Sequence, residues 1–158
     1  MKWLLKNGLP MNAHIFEMAA KLGDLEFMKW LYKNECPFSE YTFNYATRNG
    51  DLDSMKWLYE INCPFDDCTF MWAALHGELD IMEWLYEKNC HFNECTFSSA
   101  VEHGDLGNIK WLYEKKCPWK TLSKIERGRR GSPPIKNNIL QWMQKMDEQT
   151  ASMKLFFT

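Results

Sequence analysis

Met55-Lys56-Trp57-Leu58 is one of five versions of the same four residues. Met1-Lys2-Trp3-Leu4 and Met28-Lys29-Trp30-Leu31 come before it; Met82-Glu83-Trp84-Leu85 and Ile109-Lys110-Trp111-Leu112 follow, each tryptophan 27 residues from the last. The interval is shared by Gly23, Gly50, Gly77, Gly104 and Gly131, by Phe16, Phe43, Phe70 and Phe97, and by Ala19, Ala46, Ala73 and Ala100. It is shared again by Cys36, Cys63, Cys90 and Cys117. A fixed period held in this many columns marks a repeat protein and decides the architecture.

Each period reads as two helices. In the copy from Phe38 to Pro64, Ser39 is a suitable N-cap, and Phe43 and Ala46 fall three apart on one face of a helix expected over Tyr41 to Asn49. Gly50 supplies the break, and Asp51 restarts the chain with a capping oxygen. Leu52, Met55, Leu58 and Tyr59 then form a helical stripe that Trp57 widens. Asn62 suits a left-handed turn, Pro64 prevents continuation, and Asp66 is the next cap. Connections this short require antiparallel neighbours. One such pair has too little apolar surface to offset the entropy of ordering it, so stability depends on stacking copy upon copy.

A single repeat domain is expected over 1–146: a half repeat at 1–10, repeats at 11–37, 38–64, 65–91 and 92–118, and a degenerate copy at 119–146. In the last copy Ser132-Pro133-Pro134 replaces the smooth restart, and Trp142 lies 31 residues after Trp111. Its helix is expected over Asn138 to Met146, followed by a frayed polar tail at 147–158. Opening on half a repeat is expected either of a trimmed array or of an N-terminal cap.

Composition bounds the class. Of 158 residues, 46% are hydrophobic and 25% charged, which places the chain among folded proteins, and a net charge of -2 gives no whole-molecule pull toward nucleic acid or membrane. Lys6, Asn7 and Gly8 cut short any export signal, and no stretch approaches the roughly 18 apolar residues of a membrane helix. The expected location is intracellular, in the cytoplasm, with the nucleus as the alternative.

The pattern Thr42-Phe43-x-x-Ala46-x-x-x-Gly50-Asp51-Leu52-x-x-x-Lys56-Trp57-Leu58 resembles the ankyrin repeat, and Thr69 and Thr96 head the same pattern in the next two copies. The resemblance covers most of residues 11–118. The wording Cys-Pro-Phe, Thr-Phe and Lys-Trp-Leu-Tyr is similar to the degenerate ankyrin-like arrays of giant amoebal viruses and some protists. An ankyrin repeat is about 33 residues long; the residues missing here are those that build the projecting β-hairpin. The resulting expectation is an all-α fold, an ankyrin-like α-solenoid of stacked antiparallel helix pairs with little or no β-hairpin.

Chemistry is sparse. Neighbouring cysteines of the ladders Cys36/Cys63/Cys90/Cys117 and Cys68/Cys95 should lie about 10 Å apart, beyond the roughly 7 Å a disulfide spans, so both sets are expected to be small buried packing residues. Cys90, His91 and Cys95 lack the paired spacing of a structural zinc site. His14, His76, His91 and His103 have no recurring nucleophile or carboxylate beside them, and Gly128-Arg129-Arg130-Gly131 lacks the phosphate-loop spacing. The chain is expected to be no enzyme and to need no cofactor or metal.

Charge is uneven along the sequence. Between Glu114 and Lys136 there are eight Lys/Arg and two Glu, a net +6, whereas residues 1–113 carry a net -8. The basic segment at 115–136 reads first as a solubilising cap. The alternative is a nuclear address or a nucleic-acid contact through Lys120, Lys124, Arg127, Arg129 and Arg130.

Columns that stay constant between copies are those stacking demands; columns that vary are free to carry specificity. The ankyrin resemblance implies a concave face formed by residues just before the first-helix glycine. Carried over, it nominates Arg48, Asn49, Leu75, His76, Glu102 and His103, with Tyr45 and Trp72 as aromatic anchors. Tyr32, Tyr59, Tyr86 and Tyr113 are assigned to outer-helix packing. The function implied is a monomeric protein-binding scaffold whose partner, a host protein among the candidates, is unidentified.

Overall fold

The computed structural model describes Gly8, residues 11–92 and 94–119, Ile125 and residues 134–156. Within them the chain forms α1 (Ala13–Leu22), α2 (Leu25–Lys33), α3 (Glu40–Arg48), α4 (Leu52–Glu60), α5 (Asp67–His76), α6 (Leu79–Glu87), α7 (Glu94–His103), α8 (Leu106–Glu114) and α9 (Asn137–Phe156). No strand occurs among the described residues, so the β-hairpin expected to be missing is missing there. The protein divides into two compact units, Met1–Thr69 and Phe70–Thr158, and the division falls within α5.

In the first unit α1 packs on α2, α3 packs on α4, and α1 lies against α3. The constant columns form its core: Phe16, Ala19, Met28, Leu31, Phe43, Ala46, Met55 and Leu58 are all buried. In the second unit α7 packs on α8, and the same columns, from Phe70, Ala73, Met82 and Leu85 to Phe97, Ala100, Ile109 and Leu112, are buried in turn.

Local chemistry explains where helices start and stop. Asp24 Oδ1 accepts from Phe27 N at 2.9 Å, Asp51 Oδ1 from Ser54 N at 3.0 Å, and Asp105 Oδ1 from Asn108 N at 3.0 Å, each satisfying an orphan donor. Glu78 holds the same position with a longer side chain and makes no such bond. The threonine that heads a first helix also caps: Thr42 Oγ1 accepts from Ser39 N, and Thr69 Oγ1 from Asp66 N. Every second helix in the four complete copies closes with a non-glycine residue in the left-handed region, Glu35, Asn62, Asn89 or Lys116, at φ 57–60°. The cysteine that follows donates its amide five residues back, to Leu31, Leu58, Leu85 or Leu112 O, at 2.9–3.0 Å.

The segment that replaces the hairpin is an aromatic plug. In the first unit Phe38 lies 5.5 Å from Phe16 and 6.2 Å from Tyr32, and Trp57 lies 6.4 Å from Phe16 and 5.9 Å from Tyr32. The second unit repeats the four-ring cluster with Phe70, Tyr86, Phe92 and Trp111. It builds it again from Phe97, Tyr113, Trp119 and Trp142, so α9 supplies the last tryptophan of the series. This is why the chain needs so many rings: each cluster ties one copy to the next where a hairpin would otherwise stand.

Two expectations change. The last helix starts at Asn137 and runs to Phe156, so the residues from 147 to 156, expected to fray, continue α9. That stretch contains neither glycine nor proline, and nothing in it stops a helix. The cysteines also split: Cys36, Cys63, Cys90 and Cys117 are buried as expected, but Cys68 and Cys95, in the opening turns of α5 and α7, are exposed.

Candidate partner-binding site

In the first unit the nominated residues lie at the end of α3. Tyr45 is half-buried, Arg48 is exposed, and Asn49 caps the helix. The Asn49 side chain has a structural duty: Nδ2 donates to Lys21 O at 3.0 Å and Ala20 O at 3.3 Å, closing the carbonyl end of α1. The contact places the variable columns of α1 beside those of α3. Leu22 is 73% exposed, Tyr41 59% and Met18 38%, with Lys21 also exposed. Met18, Lys21 and Leu22 stand in the same columns as Tyr45, Arg48 and Asn49, one period upstream, and the 27-residue register is the signal that picks them out. Tyr41 shares its column with His14, Cys68 and Cys95.

In the second unit Trp72 and Leu75 are half-buried on α5, and His76 is exposed at its end. Glu102 and His103 are exposed at the end of α7. His103 reaches back in the manner of Asn49. Its ring rests on Gly77, so closely that a methyl group there would overlap it. Asn108 Nδ2 meanwhile donates to Gly77 O at 2.8 Å. Lys136 repeats the arrangement one copy on, with Nζ 2.7 Å from Gly104 O. In the column that the ankyrin resemblance assigned to binding, Asn49 and His103 therefore also act as clasps that cover the end of the preceding first helix, and Lys136, outside that column, covers the end of α7. The cation at Gly104 suits the negative end of that helix.

Lys120, Lys124, Arg127, Arg129 and Arg130 lie outside the described residues. Lys136, the last of the basic segment, is committed to Gly104 O.

None of the six cysteines is disulfide-bonded. Cys36 Sγ donates to Asn12 O at 3.3 Å and Cys63 Sγ to Ser39 O at 3.5 Å. Burial pushes the Cys63 and Cys117 thiols up to about 12 and raises Cys36 as well, so these groups stay protonated and act as packing residues. Among the described residues no three His, Cys, Asp or Glu side chains come together to hold a metal ion, and no helix is long and apolar enough to cross a membrane.

A comparison with curated proteins returns no match. The family profile described as Ankyrin repeats (3 copies) matches residues 16–96, just over half of the chain. Those residues hold the Thr-Phe, Ala, Gly and Trp-Leu columns whose packing has just been described. The protein is a member of the ankyrin-repeat family.

Proposed function

We propose that the chain is a non-catalytic module that binds another protein through the faces of its first helices. Ankyrin repeats are generally protein-interaction scaffolds, and their proteins are typically non-catalytic. The observation that carries the reading is a split between columns: the constant Phe, Ala and Leu columns are buried and the constant tyrosines are held in ring clusters, whereas variable columns expose Leu22, Tyr41 and Met18 with Lys21 and Arg48. Large exposed apolar side chains with polar neighbours are what a protein partner covers. In the second unit Trp72, Leu75, His76 and Glu102 occupy the corresponding columns.

The 27-residue form is similar to the arrays of giant amoebal viruses and some protists, and on that likeness the partner is a host protein. Six cysteines outside disulfides agree with an intracellular, cytoplasmic setting. The module is taken to act as a monomer. Nothing among the described residues favours the nucleic-acid alternative.

The test is affinity capture with the full chain, comparing wild type with Leu22→Ser/Tyr41→Ser and with Trp72→Ala/Leu75→Ala. The reading predicts that partners recovered by wild type are lost from at least the first variant while its helicity is unchanged. Equal recovery by all three proteins would remove this face from consideration.

A further inference from the structure

A second surface, apart from the first-helix face, is built from second helices. In the second unit Tyr86 of α6 and Trp111 of α8 stand edge to face, their ring centres 5.8 Å apart at 79°. Glu83 and Glu87, one helical turn apart on α6, line an open hollow of about 380 Å³ with these rings and with Lys115, the residue that caps α8. The Lys115 ammonium lies 5.0 Å from the Tyr86 ring centre and 5.7 Å from that of Trp111. A cation is therefore already drawn to this place by the electron-rich faces of two rings. Glu83, Glu87 and Lys115 are exposed, and Tyr86 keeps 40% of its surface open.

The repeat shows that these charges are not what stacking requires. The first unit has the same ring pair, Tyr32 and Trp57, 5.9 Å apart at 87°. There the columns of Glu83 and Glu87 hold Lys29 and Lys33, and the column of Lys115 holds Ile61. A third ring pair, Tyr113 and Trp142, 5.3 Å apart at 89°, has Lys110 and Glu114 in the same two columns. Glu83 stands in a column that is otherwise lysine, at Lys2, Lys29, Lys56 and Lys110. One ring geometry thus carries two lysines, one charge of each sign, or two glutamates.

The two carboxylates are also not consumed by Lys115. Among the described residues neither Glu83 nor Glu87 forms an ion pair with it, and its ammonium lies over the rings instead. Two negative charges against one positive leave the hollow attractive to a further cation. A guanidinium group suits it best: planar and weakly hydrated, it stacks on an aromatic face while its five N–H donors reach carboxylates at its edge. An ammonium offers a more strongly hydrated point charge. We propose that this hollow receives an arginine side chain of a partner protein, and that Lys115 is an internal stand-in that swings aside to admit it. The site would hold one anchoring residue of a larger contact.

The test is an NMR titration of the isotope-labelled full chain, reading tryptophan indole N–H signals assigned with Trp57→Phe and Trp111→Phe. The probe is the end-blocked peptide Gly-Ser-Arg-Ser-Gly, with versions carrying lysine or glutamate in place of arginine as controls. The proposal predicts a saturable, salt-weakened shift of the Trp111 signal while that of Trp57, beside Lys29 and Lys33 in the register, stays in place. The lysine peptide should bind at least about three-fold more weakly, and the glutamate peptide should give no shift. Glu83→Lys, which restores the residue of the other copies, should weaken binding about ten-fold. Lys115→Ile, the residue of the same column at Ile61, should tighten it about three-fold, because the competing ammonium is gone. Circular dichroism verifies that both variants fold. Leu22→Ser/Tyr41→Ser, on the first-helix face, should bind the peptide as wild type, so either reading can fail without the other. No saturable shift at Trp111, an equal shift at Trp57, equal binding of the lysine peptide, no loss through Glu83→Lys, or no gain through Lys115→Ile would each overturn the proposal.

Discussion

Gly77 and Asn89 end consecutive helices in the same backbone conformation, at φ 76° and 58°, yet the first position has a glycine in every copy, whereas the second has Glu, Asn or Lys in the four complete copies and a glycine, Gly8, in the opening half repeat. Both turns return amides to helix carbonyls in the same way: Glu78 N reaches Ala73 O, and Cys90 N reaches Leu85 O. The backbone angle therefore does not by itself demand glycine. What differs is the neighbour. Gly77 lies beneath the His103 ring and the Asn108 amide, whereas Asn89 lines an open hollow. At Gly23, Gly77 and Gly104 a side chain of the next copy stands where a methyl group would go, and there glycine is kept for room as well as for its backbone angle.

That comparison is open to attack in four places. Gly77→Ala should be the most damaging, about 3 kcal/mol in a denaturant titration, because the methyl group adds a collision with His103 to the left-handed penalty. Removing the ring in a His103→Ala background should relieve about half of that loss. Gly23→Ala should be milder, about 1–2 kcal/mol: its methyl group would lie 3.2 Å from Asn49 Nδ2, the end of a side chain that can shift. At the second-helix turn the sign should reverse, with Glu35→Gly raising the unfolding free energy by about 0.5–1 kcal/mol. The smallest effect is Glu78→Asp, a gain of about 0.5 kcal/mol measured the same way, from supplying the cap bond that Asp24, Asp51 and Asp105 make.

Much of this fold could be read from periodicity. The buried columns, the caps at Asp51 and Asp105 and the left-handed Asn62 follow from local rules and a 27-residue register. The clasps could not be read, because the register shows that Asn49 and His103 share a column but not that their side chains reach back to cover Ala20, Lys21 or Gly77. Two members of that varying column, Asn49 and His103, also cover the preceding copy, whereas Leu22 in the same column is exposed. Cys68 and Cys95 are exposed because they stand in the variable Tyr41 column; the repetition of a cysteine does not by itself imply burial. The exposure of Leu22 and Tyr41 likewise depends on which face of each helix is left uncovered, which spacing alone does not give.

The central claim is that a protein partner meets the first-helix face. Tyr41 and Tyr59 offer the most direct test, since both are exposed tyrosines of the first unit, one on α3 and one on α4. A photo-crosslinking amino acid placed at each position in turn, with the partner present, reports which face is covered. The account predicts a crosslinked complex from position 41. A complex from position 59 and none from position 41 would contradict it.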